Sequence, residues 1–214
     1  MKFVIFEFRI LLRSKISFLI KTNFLLFLIG LAASCDSSLP KYYDIGQIKT
    51  PFGEMLFWLY KETPNHKKSF LYLSGQHYWD TLTFNRVIKN FVIQGGCPDT
   101  PEGFKNSPYL IAPEFKPNIR HIYGAIGTGR DDNPAKLSAG CQLYIVHNQD
   151  GIPRLDDNYM IFGQLFKGFD VLDHIANMPT DTLDQPLTPI TMEVNTIKLS
   201  KKELTQFRVP WLNS

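Results

Sequence analysis

The chain has 214 residues, 44% of them hydrophobic and 14% aromatic, which is enough apolar material for one sizeable core and excludes a disordered polypeptide. The formal charge of +3 would favour a polyanionic partner, but residues 1–34 carry Lys2, Arg9, Arg13, Lys15 and Lys21 against Glu7, a local +4 that leaves −1 on the remainder. With no basic concentration outside that leader, nucleic acid is excluded as a partner, and one domain behind a leader is the expected organisation.

In chain order, the basic stretch runs into the apolar segment Phe24 to Ala33 and then small residues ending at Cys35, the composition of a secretion signal. Leu31-Ala32-Ala33-Ser34-Cys35 resembles a bacterial lipobox, with Ala32 where Leu is usual. The resemblance implies that residues 1–34 are a removed signal peptide and that Cys35 is acylated. The protein would then be anchored by lipid to the inner or outer membrane of a bacterial cell envelope, outside the cytoplasm. Several acyl chains would hold it stably, at about 0.8 kcal/mol per buried CH₂. Two other readings stay open: an uncleaved signal anchor, for which Ile16 to Ala33 is short and broken by Lys21, and a soluble secreted protein. In an oxidising compartment Cys97 and Cys141 are free to bridge, although sequence alone does not bring them within bonding distance. Their spacing indicates neither a redox Cys-x-x-Cys nor a zinc site.

Residues 35–46 form the expected lipidated N-terminus and tether, without apolar period. Phe52 to Tyr60 opens the fold. Its alternating sets Met55/Phe57/Leu59 and Leu56/Trp58/Tyr60 are both apolar, so the strand is buried on both faces and something must cover its outer side. Thr63-Pro64 starts a helix, with a capping hydroxyl and a proline where the amide needs no partner; Phe70, Leu71 and Leu73 give its buried stripe and Gly75 its stop. Strands follow at Leu82 to Ile88, Phe91 to Gln94, Gly124 to Thr128, Gln142 to Val146 and Met160 to Leu165. A helix spans Asp170 to Asn177, a last strand Ile190 to Leu199, and residues 200–214 form a tail. Helices do not alternate with strands, so an antiparallel barrel plugged by two helices is favoured over a parallel sheet.

Familiar catalytic signals are absent from the sequence: there is no Gly-x-Ser-x-Gly and no His-Glu-x-x-His, and Gly124, Gly127 and Gly129 fit neither a dinucleotide nor a phosphate loop. The five histidines lack ligand spacing, so neither a metal nor a cofactor is expected. The informative stretch is Phe84-Asn85-Arg86-Val87-Ile88-Lys89-Asn90-Phe91-Val92-Ile93-Gln94-Gly95-Gly96. It resembles the central signature of the cyclophilins, Phe-His-Arg-Val-Ile-Pro-Gly-Phe-Met-x-Gln-Gly-Gly, with Lys89-Asn90 replacing Pro-Gly at a turn where Asn is the next best residue to Gly. Two further blocks follow in family order. Gly140-Cys141-Gln142-Leu143-Tyr144-Ile145 is similar to Gly-Ser-Gln-Phe-Phe-Ile, and Leu155-Asp156-Asp157-Asn158-Tyr159-Met160-Ile161-Phe162-Gly163 to Leu-Asp-Gly-x-His/Tyr-x-Val-Phe-Gly.

The resemblance covers residues 47–199 and implies a mainly β fold, a closed eight-stranded antiparallel β-barrel capped by two α-helices. It also implies a peptidyl-prolyl cis-trans isomerase acting on proline-containing unfolded or flexible polypeptides of the envelope. By the same resemblance Arg86, Phe91 and Gln94 are catalytic, with the Arg86 guanidinium aimed at the prolyl nitrogen. Phe91, Val92, Tyr144, Leu155 and Tyr159 would form the proline pocket, and Gln94, Gln142 and the main chain near Gly129 and Arg130 would bond the substrate backbone. Val92 stands for the family's Met, Tyr144 for Phe, Asn85 for His and Arg130 for Asn. Arg154 takes the place of a Trp that contacts cyclosporin in eukaryotic members, so weak cyclosporin binding is expected. The altered pocket keeps open a proline-segment binding module with little turnover; a second alternative is a structural component of an envelope assembly.

Overall fold

A computed structural model of the protein describes residues 41–97 and 110–207; Cys35 and residues 1–34, on which the lipid-anchor expectation falls, lie outside the described residues. The strands are β1 (Tyr42–Thr50), β2 (Gly53–Leu59), β3 (Thr83–Ile88), β4 (Val92–Gly96), β5 (Leu110–Ile111), β6 (Ala125–Thr128), β7 (Ser138–Ala139), β8 (Gln142–Val146), β9 (Met160–Lys167), β10 (Ile190–Thr191) and β11 (Glu193–Ser200). The helices are α1 (Pro64–Gly75), α2 (Phe169–Ala176) and the short α3 (Lys201–Thr205).

Nine of these strands form one antiparallel sheet in the order β10-β3-β4-β8-β6-β9-β2-β1-β11, and β5 pairs with β7 separately. The order is open at β10 and β11, which corrects the expected closed ladder of eight strands. Two differences take the seven strands expected along the chain to nine. Residues 42–46, expected in the tether, are the first half of β1, and the single strand expected from Ile190 to Leu199 is two. Met192 alone separates Thr191, paired to β3, from Glu193, paired to β1. Two virtual Cα bonds of about 3.8 Å each must therefore join one edge of the sheet to the other, so the sheet curls until its edges meet at Met192.

Inside the curl, Phe57, Phe70, Trp79, Phe84 and Phe162 are almost fully buried, and α1 and α2 join the same cluster through Phe70, Leu73, Val171, Leu172 and Ile175. Each such side chain stabilises the fold by about 1.5–3 kcal/mol. The N-terminus of α1 differs from expectation in its cap. The Thr63 hydroxyl bonds back to the Tyr60 carbonyl, and it is the Glu114 carboxylate that accepts from the Asn65 and His66 amides, each at 3.1 Å, where the helix dipole favours an anion. The outer face of β2 is covered by the tail. Leu204 of α3 packs on Ile45 and Leu56, Phe207 lies against Phe166, and α3 begins with a Ser200/Glu203 capping box. Among the described residues, no helix is long and apolar enough to cross a membrane.

Cys97 and Cys141 form a disulfide. The bridge ties the end of β4 to the residue before β8, with the Cys97 amide donating to the Cys141 carbonyl at 3.1 Å and the Trp79 indole to the same oxygen at 2.8 Å.

Candidate active site

The β3–β4 hairpin turns at Asn90, whose φ of +59° is the left-handed conformation that its residue type tolerates. Around it the Asn90 amide donates to His147 Nδ1 at 3.1 Å, Asn148 Nδ2 to the Asn90 carbonyl at 2.9 Å, and the His147 amide to the Phe91 carbonyl at 2.8 Å. Phe91 thus leaves the turn on a fixed backbone. Beyond it the ladder pairs Arg86 with Gln94, Gln94 with Tyr144 and Tyr144 with Gly127. Paired residues of antiparallel strands share a face, so Arg86, Gln94 and Tyr144 stand in one row across β3, β4 and β8. Val92 and Gln142 lie on the same face two residues away. This is the face away from Ile93, Leu143 and Ile145, which enter the interior cluster.

Gly127 closes the row for a steric reason: a Cβ there would sit 2.1 Å from Tyr144 Cζ and 2.6 Å from the Met160 carbonyl. Gly129 likewise leaves space for Gln142, whose Oε1 would be 1.6 Å from an added Cβ. The Gly129 amide donates to the Gln142 carbonyl at 3.2 Å, and its own carbonyl accepts from Ala139 at 2.8 Å.

Over this face opens a cavity of about 350 Å³, at the small end of the ligand-pocket range. Arg86, Phe91, Val92, Gln94, Gly129, Arg130, Gln142, Tyr144, Leu155 and Tyr159 all line it, joined by Asp131 and Arg154. Every site residue expected from the sequence other than Cys35 is therefore brought to one place. Arg86 Nη1 donates to Gln94 Oε1 at 3.2 Å, and its Nε lies 3.9 Å from an Asp184 carboxylate oxygen. The guanidinium is held on two sides with donors to spare. Arg130 Nη2 donates to Asn158 Oδ1 at 2.8 Å, Nη1 to the Asp131 and Asn133 carbonyls at 3.0 Å, and its guanidinium covers the Tyr159 ring at 5.0 Å.

Beneath the cavity lies a buried network that sequence reasoning missed. Asp156 Oδ1 accepts from the His121 amide at 2.9 Å and faces His121 Nδ1 at 2.7 Å, while His121 Nε2 lies 2.8 Å from the Tyr144 hydroxyl. Burial holds the His121 imidazole below its usual range against the opposing pull of Asp156, and burial pushes the Tyr144 phenol well above its own. With a neutral ring whose Nδ1–H serves the carboxylate, Nε2 is the acceptor and the Tyr144 hydroxyl donates. The chain Asp156–His121–Tyr144 joins the loop carrying Leu155 and Tyr159 to the row on β8. Only His121's wide sequence separation from both partners hid it.

The sequence profile of the cyclophilin type peptidyl-prolyl cis-trans isomerase/CLD family matches residues 45–196. The chain belongs to this family. Among curated relatives, a peptidyl-prolyl cis-trans isomerase of Acinetobacter baylyi is 29% identical over 164 residues, covering 72% of this chain and 87% of that one. A putative peptidyl-prolyl cis-trans isomerase of Staphylococcus aureus is 29% identical over 188 residues, covering 72% and 94%. A Cryptosporidium parvum cyclophilin crystallised in the presence of the dipeptide Ala-Pro superposes with a TM-score of 0.64 at 27% identity, over 72% of this chain and 98% of that one. The protein is thus a cyclophilin-type peptidyl-prolyl cis-trans isomerase with a mainly β cyclophilin fold. Where the cyclophilin pattern has Gly in its third block, Asp157 adopts φ +56°, so the turn is kept without the glycine.

Proposed function

We propose that the cavity holds the proline ring of an exported polypeptide between Val92, Tyr144, Leu155 and Phe91 while Arg86 donates to the prolyl nitrogen as the X-Pro bond twists. The observation that carries this is the row Arg86–Gln94–Tyr144, with Arg86 Nη1 anchored on Gln94 at 3.2 Å and the apolar residues beside it in one cavity. The barrier to rotation, about 18–20 kcal/mol, comes from amide resonance. A donor aimed at the nitrogen lone pair favours the twisted, pyramidal amide over the planar one, which is differential binding of the transition state. Unaided isomerisation takes tens to hundreds of seconds, so reaching about 10–10³ per second requires roughly 4–7 kcal/mol. One charged hydrogen bond contributes about 1.5–3 kcal/mol of that; the remainder falls to the pocket's grip on one side of the bond. No nucleophile or general base enters. Gln94 and Gln142 serve the peptide backbone beside the proline, and because both main-chain groups of Gly129 are engaged within the fold, the expected main-chain contact falls on Arg130.

The same reading extends to location. The leader composition, the lipobox-like segment ending at Cys35 and the Cys97–Cys141 bridge together favour a lipid-anchored protein in an oxidising compartment of the cell envelope, where proline-containing exported chains fold. The test is a prolyl isomerisation assay of the full chain in neutral detergent on short X-Pro peptides, beside mass spectrometry of the mature N-terminus from cells. Catalysed rotation and an acylated Cys35 are the expected results. A folded protein without acceleration would overturn the enzyme assignment, and an unmodified N-terminus at residue 1 the anchor.

A further inference from the structure

The cavity carries an uneven charge. Among the described residues three guanidiniums line it, from Arg86, Arg130 and Arg154, against the single carboxylate of Asp131. Arg86 is shared with Asp184 at 3.9 Å, but the acceptors of Arg130 are an amide oxygen and two main-chain carbonyls, which leave its charge standing. Its Nε is buried and has no hydrogen-bond partner among the described residues. Arg154 lies over the Phe91 ring at 4.9 Å, and the Arg86 guanidinium sits 6.0 Å from the same ring, so Phe91 gathers two cations at one wall of the proline pocket. Among the described residues no carboxylate forms an ion pair with Arg130 or Arg154. Asp156 is paired with His121 and Arg120 and Asp157 with Arg120, while Asp131, held by the Asn133 side chain at 2.6 Å, keeps its charge and offsets one of the three guanidiniums.

We infer that this cavity selects proline segments bearing an acidic side chain next to the proline, and that Arg154, stacked on Phe91, is the residue that sets the preference. The inference rests on the isomerase reading of the site and deepens it by naming the substrate class. Successive Cα atoms are about 3.8 Å apart, so a carboxylate on the residue before or after a proline seated against Phe91 lies within reach of a guanidinium on that ring. A stacked guanidinium has lost part of its side-chain freedom before the substrate arrives, which reduces the entropy cost of the ion pair. A lysine at the same place meets two or three like charges.

The test compares kcat/KM of the full chain in neutral detergent for peptides that differ only beside the proline: Glu-Pro, Ala-Pro and Lys-Pro, and the matching series with the charge after proline. Each is measured at low and high salt with the wild type, R154Q and R154E. Affinities of labelled peptides, read by fluorescence anisotropy, report the preference even if turnover is absent. For the wild type, the better of the two acidic placements exceeds its lysine counterpart by about fivefold to tenfold at low salt. The ratio shrinks at about 0.5 M salt, falls in R154Q and inverts in R154E. A ratio near one for the wild type in both rate and affinity, or a preference that R154E leaves unchanged, overturns the inference. Loss of all turnover with the charge preference intact in affinity would instead sink the isomerase reading and leave the recognition of acidic proline segments standing.

Discussion

Arg86, Gln94 and Tyr144 stand in a row because the paired backbones of β3, β4 and β8 set their register, whereas Arg130, Leu155 and Tyr159 across the cavity lie on loops held by side-chain bonds. Arg130 reaches Asn158, Asn133 accepts from the Leu137 amide at 2.7 Å, and Asp156 is tied through His121 to Tyr144. On the ladder side no single side chain carries the geometry, so a substitution there changes chemistry more than stability. On the loop side a few polar groups carry it, so a substitution there costs stability as well as geometry.

The largest expected effect comes from a covalent cross-link rather than from a side chain of the row. The Cys97–Cys141 bridge spans 44 residues and fastens β4 to β8 beside Gln142. Its reduction is expected to cost about 2–4 kcal/mol, read as a lower Tm in the presence of a dithiol, with no such response in the Cys97→Ser/Cys141→Ser variant. Next comes the link between the halves. His121→Phe removes the ring between Tyr144 and Asp156, leaving the hydroxyl only the Met160 carbonyl at 3.4 Å and Asp156 Oδ1 only the main-chain amide, and should lose about 1–3 kcal/mol in urea unfolding. Arg86→Ala, on a partly exposed side chain, should stay within about 0.5 kcal/mol of wild type. Equal losses would break the distinction between the halves.

The most gradual effect is the response to protons. Burial, opposed by their carboxylate partners, holds both His66 and His121 below the ordinary imidazole range. The unfolded chain therefore takes up protons that the folded chain refuses once pH falls below about 6.5. Stability should be flat above that value and decline below it, by at most about 1.4 kcal/mol per pH unit for each group. The decline continues at lower pH through Glu114. Burial pushes its carboxyl up, but the His66 side chain and the Asn65 and His66 amides together hold it below its usual value. Thermal unfolding across pH reads the slope, and His121→Phe should remove part of it.

These contrasts also explain what the sequence made legible. The ladder side lies in two contiguous blocks, so their resemblance to the family's signature carried Arg86, Phe91, Gln94, Gln142 and Tyr144 to one site. Strand β1 escaped because its buried centre reads as polar. Gly46 is covered by the Phe57 ring, where a Cβ would sit 2.2 Å from Cζ, and Gln47 is buried with its amide on Glu54 at 2.5 Å. The cap of α1 escaped because Glu114 arrives from 49 residues away. His121 and Asp184 gave no local signal, and Asp156 showed only as part of the third block, since their roles depend on which loops the fold brings together.

The central claim is that Arg86 acts on the twisting amide rather than on the bound peptide. It is tested most directly by kcat/KM for an X-Pro peptide beside the equilibrium affinity of the same peptide, in wild type and Arg86→Ala. The account predicts a fall in kcat/KM of about 10- to 150-fold with affinity changed by less than about threefold. An affinity loss as large as the rate loss would make Arg86 a binding residue and contradict the account.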